Sequence, residues 1–497
     1  MNYYVTSPIY YVNDKPHIGH AYTTIVCDVI ARIQRLKGGV VTFMTGTDEH
    51  GQKIEQSARN AAILPADFVD MNSSLFRTLA DRLEASYSVF LRTTSPTHEQ
   101  KVLEVWNKLI QSQDIYLGKY AGWYSVRDEA FYDESEIVDG KAPTGAPVEW
   151  VQEDCYFFAL SKFEQRLLDL YKNHPDFVLP HYRLNEVISF VNSGLKDLAV
   201  SRTGITWGIK VPQNPAHVIY VWLDALTSYL SAADESSWPA DVHVVGKDIL
   251  RFHAVYWPAF LMALNLDLPK AIVSHGWWTN EGQKISKSVG NVIDPHDLID
   301  EFGLDYVRYF LLREISFGSD GNFARLNLVN RINSELCNKV GNLSQRILSF
   351  VHKQLGGHLP ACDYAMLAGD ELIMSAAKLP SAFEDFMPKF ELHHILEAIV
   401  HFADQANRYV DLHAPWKLIK TDMDQTYRVL RILLQAIRYI GISLQPFVPQ
   451  SSAKILDQLN ISSDQRSLQH LDMQYMLGEF NITIAPVPIF NRIEYVG

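Results

Sequence analysis

Apolar positions in the first fifty residues change period twice. Asn2–Thr6 is a short run suited to a strand, and Ser7-Pro8 opens a loop rich in Tyr, Asn, Asp and Pro. From Ile18 onward, Tyr22, Ile25, Val29, Ile33 and Leu36 recur at spacings of three and four, which predicts a helix. Lys37-Gly38-Gly39 supplies a basic last turn and a glycine stop. Val40–Met44 then reads as an apolar strand ending at Thr45-Gly46. Strand, helix, strand in that order predicts a βαβ unit and a parallel sheet.

The same pattern returns much later. His243–Gly246 reads as a strand, Asp248–Leu264 as a helix and Ala271–His275 as another strand. Between the halves, over roughly 112–220, the texture shifts to Gly, Asp, Glu and Pro with short alternating runs, as expected of an insertion. Beyond about residue 325 the pattern is helical: Ile332, Leu336, Val340, Leu343 and Ile347 form one stripe, Leu430, Leu433, Ile437 and Ile440 another. The expected fold class is α/β: a Rossmann-like parallel-sheet domain split by an inserted domain, followed by an α-helical bundle. Its expected divisions are 1–111, 112–220, 221–324 and 325–497. A ligand site in such a sheet is expected at the carboxyl ends of the strands, where the chain reverses order.

Composition narrows the class. With 497 residues the chain exceeds one core, and a hydrophobic fraction of 47% excludes a mainly disordered chain. No apolar run is long enough to span a membrane, and Met1–His20 lacks the basic-then-apolar order of a secretory signal. The net charge of −13 removes a global basic footprint for nucleic acid but leaves room for a local one. Cys27, Cys155, Cys337 and Cys362 are widely separated, so the expectation is a reducing, cytoplasmic setting and no cysteine zinc site.

Two short stretches carry chemistry. His17-Ile18-Gly19-His20 stands where a loop enters the first helix, and a helix N-terminus offers free N–H groups to phosphate. Gly19 lets a purine or ribose approach the backbone, while His17 and His20 can donate to phosphate oxygens. Lys284-Ile285-Ser286-Lys287-Ser288 follows the strand ending at His275, and its two lysines can neutralise charge as pyrophosphate leaves. Taken singly, the first also fits a capped helix with surface histidines, and the second a solvated basic loop. Each, however, follows a strand of a different half of the sheet.

In combination the two stretches resemble the motif pair of class I aminoacyl-tRNA synthetases, with Ile285 replacing the Met of the usual lysine motif. Further strings are similar to the methionyl branch of that family: Ser7–Asn13, Thr45–Gly51, Tyr220–Ala225 and Gly246–His253. The resemblance covers nearly the entire chain. It implies a ligase that activates L-methionine with ATP and Mg²⁺ to methionyl-adenylate. The adenylate is then transferred to the 3′-terminal ribose of tRNA(Met), including initiator tRNA. It also implies that Ile9, Tyr11, Trp222, Ala225, Tyr229, Ile249 and His253 line a methionine pocket, and that Asp48 holds the ammonium group. An apolar, polarizable thioether suits such aromatic walls. ATP contacts would come from His17, Gly19, His20, Gly246, Asp248, Lys284, Ser286 and Lys287, with Gly246 and Asp248 at the ribose. The catalytic groups would be His17, His20, Lys284 and Lys287. In the bundle, Asn342, Arg346 and Trp416 match residues that read the CAU anticodon. Without the resemblance, Trp416 would be expected in a core. Leu226 stands where the family usually has Pro, which bears on local pocket geometry.

Three alternatives fit less well. A small-molecule nucleotidyltransferase does not explain the helical bundle. A non-enzymatic tRNA-binding paralogue should have lost the histidines or lysines. A synthetase for Ile, Val or Leu would carry a larger editing insertion. In many relatives the insertion holds a zinc knuckle; here Ser125, Asp128, Ala142 and Thr144 or Gly145 stand near its cysteine positions. No structural zinc is therefore expected, and the knuckle should be held by its turns and by Trp123, Tyr124 and Phe131. The chain ends soon after Ala485–Phe490, so a monomer is expected.

Overall fold

The N-terminal strand forms as predicted, β1 (Asn2–Thr6), with Tyr4 and Val5 fully buried. The computed structural model describes residues 2–128, 130–132, 134–234, 236–285, 290–472, 475 and 478–494; at eight of these, among them Phe131 and Lys284, it describes the backbone alone. A two-residue strand β2 (Tyr10–Tyr11) precedes the helix α1 (Ile18–Leu36), whose apolar face at Tyr22, Ile25, Val29 and Ile33 is buried. Strand β3 covers Val40–Asp48, longer than its apolar run predicts. Gly46, read as a strand end, is a point of close approach: a Cβ there would lie 2.0 Å from the Leu91 carbonyl oxygen. That carbonyl belongs to β4 (Val89–Arg92), which pairs in parallel with β3.

The sheet is completed by β5 (Val178–Leu179), β6 (Val242–Gly246) and β7 (Ile272–His275). Its order is β2–β3–β1–β6–β7–β5, with β4 also on β3. The pairs β2–β3, β3–β4, β1–β6, β6–β7 and β7–β5 are parallel. Chain order therefore reverses between β1 and β6, and the carboxyl ends of these two strands flank the expected crevice. Two helices of the same unit pack against each other: α2 (Pro96–Gln111) and α3 (Val221–Ser231).

The helix predicted over Asp248–Leu264 forms over Lys247–Ala263 without interruption, but its winding changes along its length. The segment is a 3₁₀ turn at Lys247–Ile249, a π-helical turn at Phe252–Tyr256 and an α-helix at Trp257–Ala263. Pro258 falls at the last change of winding, from π to α. It lacks the N–H that would bond the Ala254 carbonyl four residues back, and its ring crowds that carbonyl. The Tyr171 hydroxyl donates to the Ala254 oxygen instead, at 2.7 Å. Hydrophobic periodicity persists through such a turn, so the pattern alone cannot reveal it.

The insertion forms an antiparallel pair, Ile115–Ser125 against Glu149–Phe158, flanked by Ala130–Tyr132 and Leu198–Ala199. At its tip Asp128 is the hub. Its backbone N–H donates to Ser125 Oγ at 3.2 Å, and its carboxylate accepts from Thr144, Tyr132 and Arg127. Tyr124 is buried and Trp123 packs edge-on against Trp150 at 5.4 Å; the Phe131 side chain lies outside the described residues.

The chain divides into two compact units: residues 2–27 with 41–275, and residues 28–40 with 276–497. In the second, Arg308 and Asp28 form a fully buried ion pair at 2.6 Å, and Arg308 also donates to the Pro446 and Phe447 carbonyls. The predicted stripes are buried, Leu430 to Ile440 on the helix Met423–Leu444. Ile332 to Ile347 lie on a helix over 325–354, π-helical between Ile332 and Gly341. Among the described residues no helix is long and apolar enough to cross a membrane.

Candidate active site

The first turn of α1 arranges its two histidines through its own backbone. The Gly19 N–H donates to His17 Nδ1 and the His17 N–H to His20 Nδ1, each at 3.1 Å. Both rings thus cap free N–H groups of the helix start, and in the neutral form each proton sits on Nε2. Burial lowers the pKa of both. For His17 the nearby Asp248 carboxylate works against that shift; for His20 the His17 ring adds to it. At neutral pH the motif therefore presents uncharged Nε2–H donors. Gly19 is required by contact: a Cβ would stand 2.9 Å from His17 Cε1.

Gly246 closes β6, and a Cβ there would meet Asp248 Oδ1 at 2.6 Å. Glycine thus leaves room for that carboxylate to fold back over the strand end, as a ribose diol acceptor requires. His275, at the end of β7, pairs through Nε2 with Thr23 Oγ1 at 2.8 Å, and Thr23 donates to the Gly19 carbonyl. Neither Thr23 nor His275 lies in a recognisable string; the fold brings them together from α1 and the end of β7.

The expected methionine-pocket residues converge. Tyr11 and Asp48 are register partners on β2 and β3, and Asp48 is buried. Trp222, Ala225 and Tyr229 share one face of α3 at steps of three and four. The Tyr229 hydroxyl lies 2.6 Å from His253 Nε2, while His253 Nδ1 lies 2.9 Å from the Ile249 carbonyl. A carbonyl only accepts, so Nδ1 carries the proton and Nε2 accepts from Tyr229. Burial pushes the His253 pKa down to about 4, keeping the ring neutral. Trp222 meets His253 edge-on at 6.3 Å and stacks on Phe252 at 3.7 Å. Ile9, Tyr11, Trp222 and Ile249 pack on one hydrophobic cluster with Tyr229 and Leu226. Leu226 is buried in that cluster, where the apolar swap keeps the wall apolar.

Sequence reasoning missed the support behind this pocket. Fully buried His243 stacks on Tyr229 at 4.2 Å, accepts from Trp257 Nε1 at 3.3 Å, and bonds Thr6 Oγ1 at 2.7 Å. Buried Asp224 contacts two histidines, His50 and His98, at 2.7 Å each.

Lys284 ends a two-residue strand pairing with Trp278–Asn280 in the other compact unit. Ser286 and Lys287 lie outside the described residues. In that unit Asn342 is exposed where the helix over 325–354 leaves its π-helical winding, with Arg346 one turn on. The Arg346 guanidinium sits 5.3 Å from the Trp416 ring and pairs with Asp411 at 3.1 Å. Trp416 is 40% exposed, so it is not a core residue. The three expected readers share a unit, and Arg346 and Trp416 are in contact.

The family described as tRNA synthetases class I (M) matches residues 3–149 and 144–348, and the anticodon binding domain of methionyl tRNA ligase matches 359–494. The methionine–tRNA ligase of Rickettsia conorii is 56% identical, covering 99% of this chain and 99% of its own. That of Rhizobium meliloti is 46% identical, over 99% and 98%. The solved structure of Mycobacterium tuberculosis methionyl-tRNA synthetase in complex with methionyl-adenylate superposes with a TM-score of 0.93. It shares 44% identity and covers 99% of this chain and 100% of that one.

Proposed function

The chain belongs to the class I tRNA synthetases of the M type, and from that premise we propose the reaction it carries out. It is a methionine–tRNA ligase: methionine, ATP and tRNA(Met), initiator included, give methionyl-tRNA, AMP and pyrophosphate. The observation that carries this reading is the junction of two features at one switch point. Neutral Nε2–H donors stand at the start of α1, and the expected aromatic residues with the buried Asp48 lie in the same unit.

Methionine enters with its thioether against Ile9, Tyr11, Trp222, Ala225, Tyr229, Ile249 and His253, and its ammonium on Asp48. A neutral His253 and a neutral Tyr229 favour that side chain, because neither adds an unpaired charge to the pocket. Gly246 and Asp248 hold the ribose of ATP. His17 and His20 hydrogen-bond the phosphates. The methionine carboxylate attacks the α-phosphorus in line, the bond to the β-phosphate oxygen breaks, and pyrophosphate leaves. The positive charges of Lys284 and Lys287 stabilise the developing charge on the phosphates. A terminal ribose hydroxyl of tRNA then attacks the adenylate carbonyl and releases AMP. No side chain becomes a covalent nucleophile.

Mg²⁺ is proposed to accompany ATP on its own phosphate oxygens. Among the described residues no group of three or more His, Cys, Asp or Glu side chains gathers to cage a metal. The knuckle is proposed to close without zinc through Asp128, whose oxygen partners do the joining. Residues 1–111 and 221–324, with the strand β5 (Val178–Leu179) that edges their sheet, are proposed as the split catalytic domain, the rest of 112–220 as the insertion, and 325–497 as the anticodon-binding part, in a cytoplasmic monomer. Asn342, Arg346 and Trp416 are proposed to read CAU, an amide and a guanidinium at base edges and an indole by stacking. Charging a tRNA transcript with CAU and one with a changed first anticodon base tests this assignment. Equal charging of both would contradict it.

A further inference from the structure

Asp224 lies on α3 at 1% exposure, one residue from Ala225 and two from Trp222, yet it belongs to the opposite face of the helix. Its two oxygens have different partners. Oδ2 bonds His50 Nδ1 at 2.7 Å; Oδ1 bonds His98 Nε2 at 2.7 Å, and His98 Nδ1 reaches Ser231 Oγ, on the same helix, at 2.8 Å. His50 follows the end of β3, two residues beyond Asp48, and His98 stands in the first turn of α2. One carboxylate therefore joins three elements. Its pKa is pushed down to about 2: burial opposes the charge, but the two histidines outweigh it.

An ionised carboxylate in a core is costly unless its partners are excellent, and an apolar residue of similar size would pack there at less cost. Such a group is best attested where it fixes one arrangement among several. Here the arrangement has a visible use. Glu49, between Asp48 and His50, is fixed independently by Arg92, at 2.7 and 2.9 Å, and by the Thr47 and Thr94 hydroxyls. Trp207 Nε1 donates to its carbonyl at 2.6 Å. Asp48 is thus held between anchored neighbours, and the His50 anchor leads straight to the helix bearing Trp222, Ala225 and Tyr229.

We propose that Asp224, through His50 and His98, is the positioning residue that sets the distance between the ammonium site at Asp48 and the side-chain wall on α3. It measures the length of the amino acid by tying together the elements that hold its two ends. This rests on the function proposed above. The ATP-contacting His17, His20, Gly246 and Asp248 lie on other elements, so the effect is specific to the amino acid.

Methionine-dependent pyrophosphate exchange by the full chain tests it. Asp224→Ala is expected to raise KM for methionine by about tenfold or more, because small misplacements at a site are felt strongly. KM for ATP and the maximal rate should stay within about threefold, a uniform-binding loss. Asp224→Asn, whose amide can still bond both rings, should recover most of the affinity. His98→Ala keeps the His50 link and should fall between them. If Asp224→Ala does not fold, His98→Ala decides on the same split. Parallel changes in the methionine and ATP constants, or none in a folded variant, overturn the proposal. Wild-type protein without methionine-dependent exchange would instead overturn the underlying function.

Discussion

Gly19 is a residue whose need is set by a ring. Gly19→Ala places a methyl carbon against His17, turns the imidazole away from the helix start, and misaims its Nε2–H. Pyrophosphate exchange is expected to drop by about a hundredfold with little change in stability; an unchanged rate would show that His17 does not act through this geometry. The buried histidines also set a pH dependence. His17, His20 and His253 have lowered pKa values, so below the ordinary value of 6.5 the unfolded chain binds protons that the folded chain does not. Their stabilising contribution is complete above that value and is lost as pH falls toward about 4. His50 has the opposite sign: burial opposes its charge, but Asp224 outweighs burial and raises its pKa. His243 and His393 are lowered by burial as well, so five rings against one predict a denaturation midpoint that falls between about pH 7 and pH 5, and a shallower fall in His253→Gln. Equal slopes for the two proteins would contradict this. The motif histidines were legible because they are neighbours in the chain. His50 and His98 were not, because 174 and 126 residues separate them from Asp224.

At the scale of elements, the periodicity of α1 and of the bundle stripes was enough to find helices, since one buried face is all such a pattern encodes. Where a helix changes its winding, the apolar stripe continues and the change is silent, as around Pro258. The carbonyl freed there makes a prediction. Tyr171→Phe leaves the Ala254 oxygen unsatisfied in a buried position, and denaturant unfolding should show a loss of about 1–3 kcal/mol. A loss within error would mean that Pro258 leaves no carbonyl needing a partner. Trp416 belongs to the same scale, because Pro415 and the left-handed Ala414, with φ 40°, turn the chain between two helices at that point. Trp416→Ala should weaken tRNA charging about tenfold by loss of base stacking while pyrophosphate exchange persists; equal losses would mark it as a folding residue.

For the whole molecule, a parallel sheet was readable from two separated βαβ passages, but neither its strand order nor the division into two compact units was. Residues 28–40 join the unit of residues 276–497 through contacts such as Arg308–Asp28, 280 residues apart. Local spacing holds no record of them. Activity of the full chain is expected to survive a zinc chelator and to vanish when Mg²⁺ is removed, and one tightly held zinc per chain by elemental analysis would contradict the reading of the knuckle. Lys287→Ala should slow adenylate formation while leaving methionine binding largely intact, since its charge is needed as pyrophosphate departs. The central claim is that a class I activation site is fitted to methionine. Pyrophosphate exchange measured with each of the twenty amino acids tests it most directly. Strong exchange is expected with methionine alone; strong exchange with any other amino acid, or none with methionine, would contradict that claim.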